Sequence, residues 1–370
     1  MIGEKMRKKI KYFDWPLFFA ILILIGLGTL GIFSLTQTPE KPISGLFINQ
    51  IIYFFLGLVI FFIVSFQDYS IYKKIPFWLY GLSIFLLILS FLWAKIFHLQ
   101  VARWINLGIF QFQPSEFVKV FLLIFLAWYF SEKSFLQKDF KTLIFSILWV
   151  FLPFLMTAAQ PDLGTSLVFL VIWGIMILFS PVNKKYLIFL FLVFIFFLPI
   201  GWNFLKDYQK ERILVFIDPN RDPLGTGYHV LQSIIAIGSG GLWGKGIGQG
   251  IQSQLQFLPA PYTDFIFAAL AEELGFIGVV FLLGTFFVLF LRIVNIIKKS
   301  KDSFGRFLAL GVLAVLLFQM LVNVGMNMGI MPVTGIPLPL ISYGGSALIT
   351  TLWLLGIVES ISIHHKKIKF

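Results

Sequence analysis

The sequence contains no cysteine, little histidine and few charged residues. Of its 370 residues, 12% are Asp, Glu, Lys or Arg, and the four histidines are His98, His229, His364 and His365. Without cysteine there is no disulfide framework and no thiolate metal site, and histidines this scattered do not favour a histidine metal centre. Soluble globular domains carry roughly 25% charged residues, so the low share of charge excludes an ordinary soluble domain.

In place of charge the chain has apolar side chains: 59% of its residues are hydrophobic and 18% are aromatic. Only closed helices or barrels satisfy the backbone inside a bilayer, and a helical span needs roughly 20 apolar residues. We therefore predict an all-α polytopic membrane protein, with residues 1–370 as one domain. Ten apolar runs are candidate spans, at about 15–36, 46–66, 74–97, 115–131, 141–159, 164–180, 186–204, 264–296, 305–331 and 339–363.

Basic residues are distributed unevenly between the two sides of such a bundle. Twenty of the 29 Lys and Arg residues lie at the termini and in the loops 67–74, 131–141, 181–185 and 292–306, and eight lie in the other loops. The positive-inside rule places both termini in the cytoplasm and the long loop 205–263 outside. The first apolar run is too long for a signal-peptide core, so we expect it to be retained. The net charge of +12 follows this topology and does not indicate nucleic-acid binding.

Two charged motifs stand at the outer ends of predicted helices. Glu116 and Lys119 lie three residues apart and share a helix face. They either neutralise each other in the packing, or form a polar wall whose ammonium group is open to an anionic substrate. Asp162 either caps the following helix or lines the same outer cavity.

Seven glycines fall within the thirteen residues 238–250. The segment is not a Walker phosphate-binding loop, because Ser239 and Gly246 stand at two of that motif's required positions. It predicts a flexible or tightly turned loop over a cavity, with glycine amides and Lys245 able to approach a pyrophosphate. Gln252, Gln254 and Gln256 then alternate with other residues, which predicts an extended segment with the amides on one side.

Three carboxylates follow in an otherwise apolar stretch, and Pro259 and Pro261 place the start of the helix near Thr263 or Asp264. Asp264 either interacts with the helix dipole as a capping group or serves function. At about 100° per residue, Glu272 lies about 80° and Glu273 about 180° from Asp264 around such a helix. We expect Glu272 to lean toward the site and Glu273 to meet a partner on another helix.

The last motif, at 336–346, enters the final predicted helix with small residues. Gly344, Gly345 and Ser346 either permit close helix packing or form a backbone turn that faces a substrate.

Together these motifs resemble one family, the SEDS proteins (shape, elongation, division and sporulation). The resemblance covers most of the chain, and the rod-shape branch of the family is more similar than the division branch. Tyr262 stands where members commonly have histidine. Tyr262 is therefore expected to supply the hydrogen bond that the histidine makes in those members. The matching motifs are RW-x-x-LG at 103–108, QPSE-x-x-K at 113–119, QPDLGTS at 160–166, GTGYH at 225–229, IGSGG-x-x-GKG at 237–246, QSQLQFLP-x-x-x-TDFIFA-x-x-AEELG at 252–275 and PLPLISYGGS at 337–346.

The resemblance implies a peptidoglycan glycosyltransferase in the bacterial cytoplasmic membrane. It would polymerise lipid II, a disaccharide-pentapeptide on undecaprenyl pyrophosphate, into β-1,4 glycan strands at the outer face. It also implies as partners a class B penicillin-binding protein and other elongation-complex membrane proteins, and no nucleic acid.

The implied catalytic residue is Asp264, acting as the base in an inverting displacement. Arg103, Lys119, Lys245 or a divalent cation would stabilise the leaving pyrophosphate. Mg²⁺ or Mn²⁺ would be held by Asp264 with Glu116 or Asp162, since such ions prefer oxygen ligands. Glu272 is a further supporting charge. The cavity is expected to be lined by Gln113, Gln160, Thr165, Tyr262, Thr263, Ser342, Tyr343, Gly344 and Ser346.

Two other functions fit the same composition. A lipid II flippase would need charged groups through the depth of the membrane, whereas here they gather toward the outer side. A scaffold that only recruits a penicillin-binding protein would not need Glu116, Lys119 and Asp264 in the apolar zone. Both considerations favour the polymerase.

Overall fold

The computed structural model describes residues 11–37, 43–98, 101, 103–106, 108, 110–133, 140–204, 206–218, 221–222, 225–255 and 257–365. Most of the basic N-terminal segment and Gln256 lie outside the described residues.

The described residues form an almost wholly helical structure, with a helix at each of the ten predicted positions. Eight helices are long and apolar enough to cross a membrane, and α6 is a shorter apolar helix. These ten helices are α1 (Trp15–Thr36), α2 (Gly45–Phe66), α3 (Pro76–Ile96), α4 (Pro114–Lys133), α5 (Phe140–Ala159), α6 (Leu163–Leu178), α7 (Lys184–Phe204), α11 (Ile266–Lys299), α12 (Ser303–Asn327) and α13 (Gly345–His364).

The remaining elements are short and lie in the connections. A 3-10 helix (Tyr69–Lys74) follows α2, and a two-stranded antiparallel sheet of β1 (Ile105–Asn106) and β2 (Gln111–Phe112) precedes α4. The long loop contains α8 (Asp207–Ile217), α9 (Thr226–Ser239) and α10 (Ile251–Gln254).

Local capping explains why the helices begin close to their predicted positions. Asp14, Ser44 and Asp302 are N-cap residues of α1, α2 and α12, and each accepts a hydrogen bond from a backbone N–H in the first turn. Pro76 and Pro114 occupy first-turn positions, where a missing N–H costs nothing. Such signals are readable in a sequence because they depend on neighbouring residues only.

The two ends of the helical bundle differ in their charges. The basic end contains Lys11, Arg292, Lys299 and His365, which lie where α1, α11 and α13 meet. It also contains Lys73, which lies in the 3-10 helix. The opposite end, here called the site end, carries the small sheet, the long loop and the 331–346 segment.

Helix α11 is broken at Gly275, whose φ of 67° and ψ of −170° are not helical. The break frees backbone groups that an unbroken helix would pair internally. The glycine-rich loop supplies the missing partners through hydrogen bonds of Lys245 N to Glu272 O (3.0 Å), Gly246 N to Glu273 O (3.0 Å), Phe276 N to Gly241 O (2.9 Å) and Ile277 N to Leu242 O (3.2 Å).

The glycines of this loop are required by that close approach. A Cβ atom at Gly240 would lie 2.2 Å from Ala271 O, and one at Gly244 would lie 2.2 Å from Glu273 O. Gly244 also has a φ of +78°, which side-chain-bearing residues rarely adopt. The loop is tightly turned, as predicted, but the amides of Lys245 and Gly246 donate to α11 and are not free for a pyrophosphate.

The predicted extended segment at 252–256 is also wrong where it is described, since Ile251–Gln254 is a short helix. The amides of Gln252 and Ser253 both donate to the Glu272 carboxylate, at 2.9 and 3.1 Å. Successive amides can reach one carboxylate only when the backbone turns.

We expect Gly244→Ala to lower the free energy of unfolding by about 3 kcal/mol, through a backbone clash and a strained φ. Thermal unfolding of the purified protein in detergent measures this change. Gly238→Ala is the matched control, because a Cβ there meets nothing within 4 Å. Equal melting temperatures for the two variants would contradict the packing described here.

Candidate functional site

Asp264 lies in a turn just before α11, two residues ahead of the first helical residue, Ile266. The helix begins later than predicted, because the amides of Thr263 and Phe265 both turn back to Ala260 O, at 3.1 and 3.5 Å. Phe265 is the N-cap residue and no side chain caps the helix. The capping role considered for Asp264 is therefore not formed.

The carboxylate of Asp264 is partly exposed and, within the described part of the chain, accepts no hydrogen bond. Its backbone is held firmly instead. The carbonyl oxygen of Asp264 accepts hydrogen bonds from the side-chain amides of Asn323 (3.1 Å) and Asn327 (3.0 Å) on α12. Asn327 also accepts from Ala268 N (3.2 Å), and Asn323 donates to Ile336 O (2.8 Å).

Sequence reasoning missed Asn323 and Asn327. Both are fully buried, and their spacing of four residues places them on one face of α12. Two amides one turn apart in an apolar helix are a signal of polar contacts between helices, and this signal could have identified them.

The 336–346 motif holds the same turn from the other side. Ser342 Oγ donates to Thr263 O (2.7 Å) and accepts from Leu338 N (2.8 Å). Tyr343 N donates to Tyr262 O (2.9 Å), and the two tyrosine rings pack edge to face with centroids 5.9 Å apart. The Tyr262 hydroxyl has no hydrogen-bond partner among the described residues, so the hydrogen bond expected of it in place of the family's histidine is not formed in this conformation.

The small residues at the start of α13 serve close packing. A Cβ atom at Gly345 would lie 2.7 Å from the Phe110 ring. Ser346 Oγ accepts from Gln113 N (3.0 Å) and donates to Gln111 O (3.1 Å). The amide of Gly344 points at Gln50 Oε1, 3.4 Å away.

Asp162 takes the capping role considered for it, and its place in an outer cavity stays a prediction. It is the N-cap residue of α6, accepting from Thr165 N (3.3 Å), and it also accepts from Gln113 Nε2 (3.1 Å) on the adjacent segment. Gln160 is buried and donates to Ser90 Oγ (2.7 Å), while its backbone oxygen accepts from Arg103 Nε (3.2 Å). The structure thus brings these expected residues into one polar network.

Glu116 and Lys119 form a buried ion pair. Lys119 Nζ lies 2.7 Å from Glu116 Oε2, and the side chains are 1% and 2% exposed. Thr350 Oγ1 donates to the same carboxylate oxygen (3.1 Å). The ammonium group is not open to the site end in this conformation, which favours mutual neutralisation over a polar wall.

Glu272 does not face Asp264, and that prediction is wrong. It is fully buried and binds the glycine-rich loop, accepting from Gln252 N and Ser253 N and pairing with Lys245 Nζ at 3.3 Å. The angular argument fails because Asp264 precedes the helix. The same ion pair holds Lys245, which was expected to face the leaving group.

Glu273 contacts another helix, as predicted. Its two carboxylate oxygens accept from Ser34 Oγ on α1, at 2.6 and 2.7 Å, and one also accepts from Gly248 N at 3.1 Å. Glu273 therefore ties α1 to the broken region of α11.

The electrostatic surroundings of Asp264 include both signs of charge. Burial raises the pKa of Asp264, the positive charges of Arg212 and Arg103 oppose that rise, and the carboxylate of Asp162 adds to it. Sequence reasoning missed Arg212, which lies in α8. A basic residue in a long loop carries no signal of its position relative to Asp264.

The described residues contain no group of three or more Asp, Glu, His or Cys side chains that could hold a metal ion. Glu116 pairs with Lys119, and Asp162 is engaged by Gln113 and Thr165. A cation held by Asp264 with Glu116 or Asp162 therefore stays a prediction.

An apolar cavity of about 560 Å³ lies among α5, α6 and α7. On α6 it is lined by residues from Leu170 to Leu178, which begin about 12 Å along the helix from Asp162. This cavity is therefore separate from the polar network of the site end.

We expect Lys119→Met to lower the free energy of unfolding by about 3–5 kcal/mol, because it leaves the buried Glu116 charge unpaired. The double variant Glu116→Gln with Lys119→Met removes both charges and should recover most of that loss. Thermal unfolding in detergent compares them. A double variant no more stable than Lys119→Met would contradict mutual neutralisation.

Comparison with known proteins finds one family over nearly the whole chain. The family model for the cell cycle proteins FtsW, RodA and SpoVE matches residues 15–367. The peptidoglycan glycosyltransferase MrdB of Escherichia coli (strain K12) is 43% identical over 313 residues, which cover 84% of each chain. The peptidoglycan glycosyltransferase RodA of Treponema pallidum (strain Nichols) is 33% identical over 426 residues, covering 95% of this chain and 97% of that protein.

A solved structure has the same fold. It is described as the structural coordination of polymerization and crosslinking by a peptidoglycan synthase complex. One of its chains superimposes with a TM-score of 0.78 and 31% identity, over 95% of this chain and 98% of that one.

Proposed function

The chain belongs to the FtsW/RodA/SpoVE family of cell cycle proteins, and we propose that Asp264 is the catalytic carboxylate of its reaction. The protein is a multi-pass membrane protein and a peptidoglycan glycosyltransferase. The expected family and the likeness to its rod-shape branch are confirmed by these matches.

One observation carries the assignment of Asp264. Its carboxylate accepts no hydrogen bond from the described residues. Glu116, Asp162, Glu272 and Glu273 all accept hydrogen bonds from protein donors. A partly exposed carboxylate that is positioned by its backbone and meets no protein donor is open to accept a proton from a substrate.

The proposed donor is lipid II at the outer face of the bacterial cytoplasmic membrane, and the acceptor is the 4-hydroxyl of a GlcNAc. The hydroxyl oxygen attacks C1 of the donor sugar, its proton passes to Asp264, and the bond between C1 and the pyrophosphate oxygen breaks. One displacement converts the α-linked donor into a β-1,4 product. Inversion needs one base and no covalent sugar–enzyme intermediate.

The leaving pyrophosphate develops negative charge, which nearby cations stabilise. Arg103 and Arg212 both interact electrostatically with Asp264, and we assign them this role. Lys119 and Lys245 are held in ion pairs. No step is assigned to a divalent cation, because Glu116 pairs with Lys119 and Asp162 accepts from Gln113 and Thr165 in this conformation.

The proposed partners are a class B penicillin-binding protein and other elongation-complex membrane proteins. The similar chain of known structure belongs to a complex described as coordinating polymerization and crosslinking. A partner that crosslinks strands would act on the product of this chain. Flippase and scaffold functions are separated from polymerisation by the experiment below, because neither forms glycosidic bonds.

We expect Asp264→Asn to reduce polymerisation of lipid II by the purified protein at least about 100-fold, since the base is lost. Its melting temperature should be unchanged or higher, because burial disfavours the ionised carboxylate. Asp207→Asn, an exposed carboxylate in the first turn of α8, is the control and should keep full activity. Near-normal polymerisation by folded Asp264→Asn would refute the assignment.

The rate should also depend on pH through Asp264. A protonated carboxyl cannot accept a proton, so kcat/KM should fall as pH decreases, with a midpoint above the ordinary carboxyl pKa of 3.8. Because folding raises the pKa of Asp264, its protonated form contributes to the stability of the folded state. This contribution is fully present at low pH and is lost as pH rises through the folded-state pKa. Asp264→Asn should therefore lose that part of the pH dependence of the melting temperature. An acidic limb centred at or below pH 3.8 is the contrary result.

A further inference from the structure

A polar cavity of about 330 Å³ lies at the basic end, remote from Asp264. It is formed by the segment that leads into α1 and by the last turns of α11 and α13. A volume of this size is at the small end of the range of ligand pockets and holds about ten water molecules. Its polar lining residues are Lys11, Asp14, Arg292, Asn295, Lys299, Ser362 and His365.

The one carboxylate in this lining is already neutralised. Arg292 binds Asp14 through two contacts, Nε to Oδ1 at 3.0 Å and Nη2 to Oδ2 at 2.7 Å. Glu359 lies behind Asp14 and accepts its backbone N–H at 2.8 Å, but it is fully buried and does not line the cavity. The walls therefore present no unpaired carboxylate.

Two lysines remain without a counter-charge. Lys11 and Lys299 are exposed, and neither has a carboxylate partner among the described residues. They enter the cavity from different elements, Lys11 from the segment before α1 and Lys299 from the end of α11. Asn295 and His365 line the same cavity. This arrangement favours an anion.

The rest of the lining is apolar and aromatic. Phe13 is buried and Trp15 is 47% exposed, and both border the cavity with Pro16. Tryptophan at a helix end is typical of the membrane–water interface. An anion bound here would have apolar surface beside it, which suits a molecule with a charged head and hydrocarbon chains better than a free ion.

We propose that this cavity binds the phosphodiester headgroup of an anionic phospholipid, with Lys11 and Lys299 as its charge partners. Basic pockets between helices on the side that faces anionic lipid are suited to such headgroups, and the excess of lysine and arginine predicts that the basic end lies on that side. The bound headgroup joins the start of α1 to the ends of α11 and α13, beside the Asp14–Arg292 ion pair.

The test uses the full chain purified in a neutral detergent, with phosphatidylglycerol as the probe and phosphatidylcholine as the uncharged comparison. Native mass spectrometry counts the lipid molecules retained, and melting temperature reports stabilisation. We expect retention of phosphatidylglycerol and not of phosphatidylcholine. The double variant Lys11→Gln with Lys299→Gln should bind phosphatidylglycerol at least tenfold more weakly.

Lys298→Gln is the matched control. Lys298 is in the same turn as Lys299 and is exposed, but it does not line the cavity. It should bind phosphatidylglycerol like the unchanged protein. Equal weakening by Lys298→Gln, or unchanged binding by the double variant, would overturn the site.

Inorganic phosphate at millimolar concentration separates the two sources of a phosphate group. We expect it to leave the melting temperature and the retained lipid unchanged. If phosphate alone stabilises the protein as much as phosphatidylglycerol and displaces it, the assignment to a lipid is overturned. Circular dichroism spectra confirm that the glutamine variants keep their helices, which they should, since both lysines are exposed.

Discussion

The hydrogen bonds between the glycine-rich loop and the broken helix α11 hold together the end of the bundle that carries Asp264. A break at Gly275 leaves backbone groups of α11 without partners in the helix. The loop pairs with four of these groups through hydrogen bonds. Glu272 and Glu273 extend the same attachment to α10 and to α1. In apolar surroundings an unpaired backbone group is costly, so the short segment between Asp264 and Gly275 is held in place by partners from three directions.

The polar groups of the site end divide into two kinds. Most of them, including Glu116, Asp162 and Gln160, have protein partners and therefore position structure. Asp264 differs because its backbone is fixed by Asn323 and Asn327 while its carboxylate stays open. A reactive group needs this combination of rigid placement and an unused acceptor.

The two ends of the molecule carry different chemistry. At the site end, arginines and an open carboxylate lie at the place of the proposed reaction, and the relatives of this chain are named peptidoglycan glycosyltransferases. At the basic end, an ion pair and two uncompensated lysines surround a cavity suited to an anionic headgroup. Helix α1 contacts both ends, through Asp14 at its start and Ser34 near its finish.

The sequence by itself determined the membrane class, the positions of the helices and the family, because apolar runs, caps and motifs are properties of neighbouring residues. Only the tertiary structure decided which carboxylates have partners. Asp264 meets Asn323 and Asn327 across 59 and 63 residues, and Glu273 meets Ser34 across 239. Periodicity assigned Glu272 to the site, but Asp264 lies in the turn before α11, so the helical angle between the two residues does not apply. Spacing along a chain predicts a shared face only while the helix is continuous.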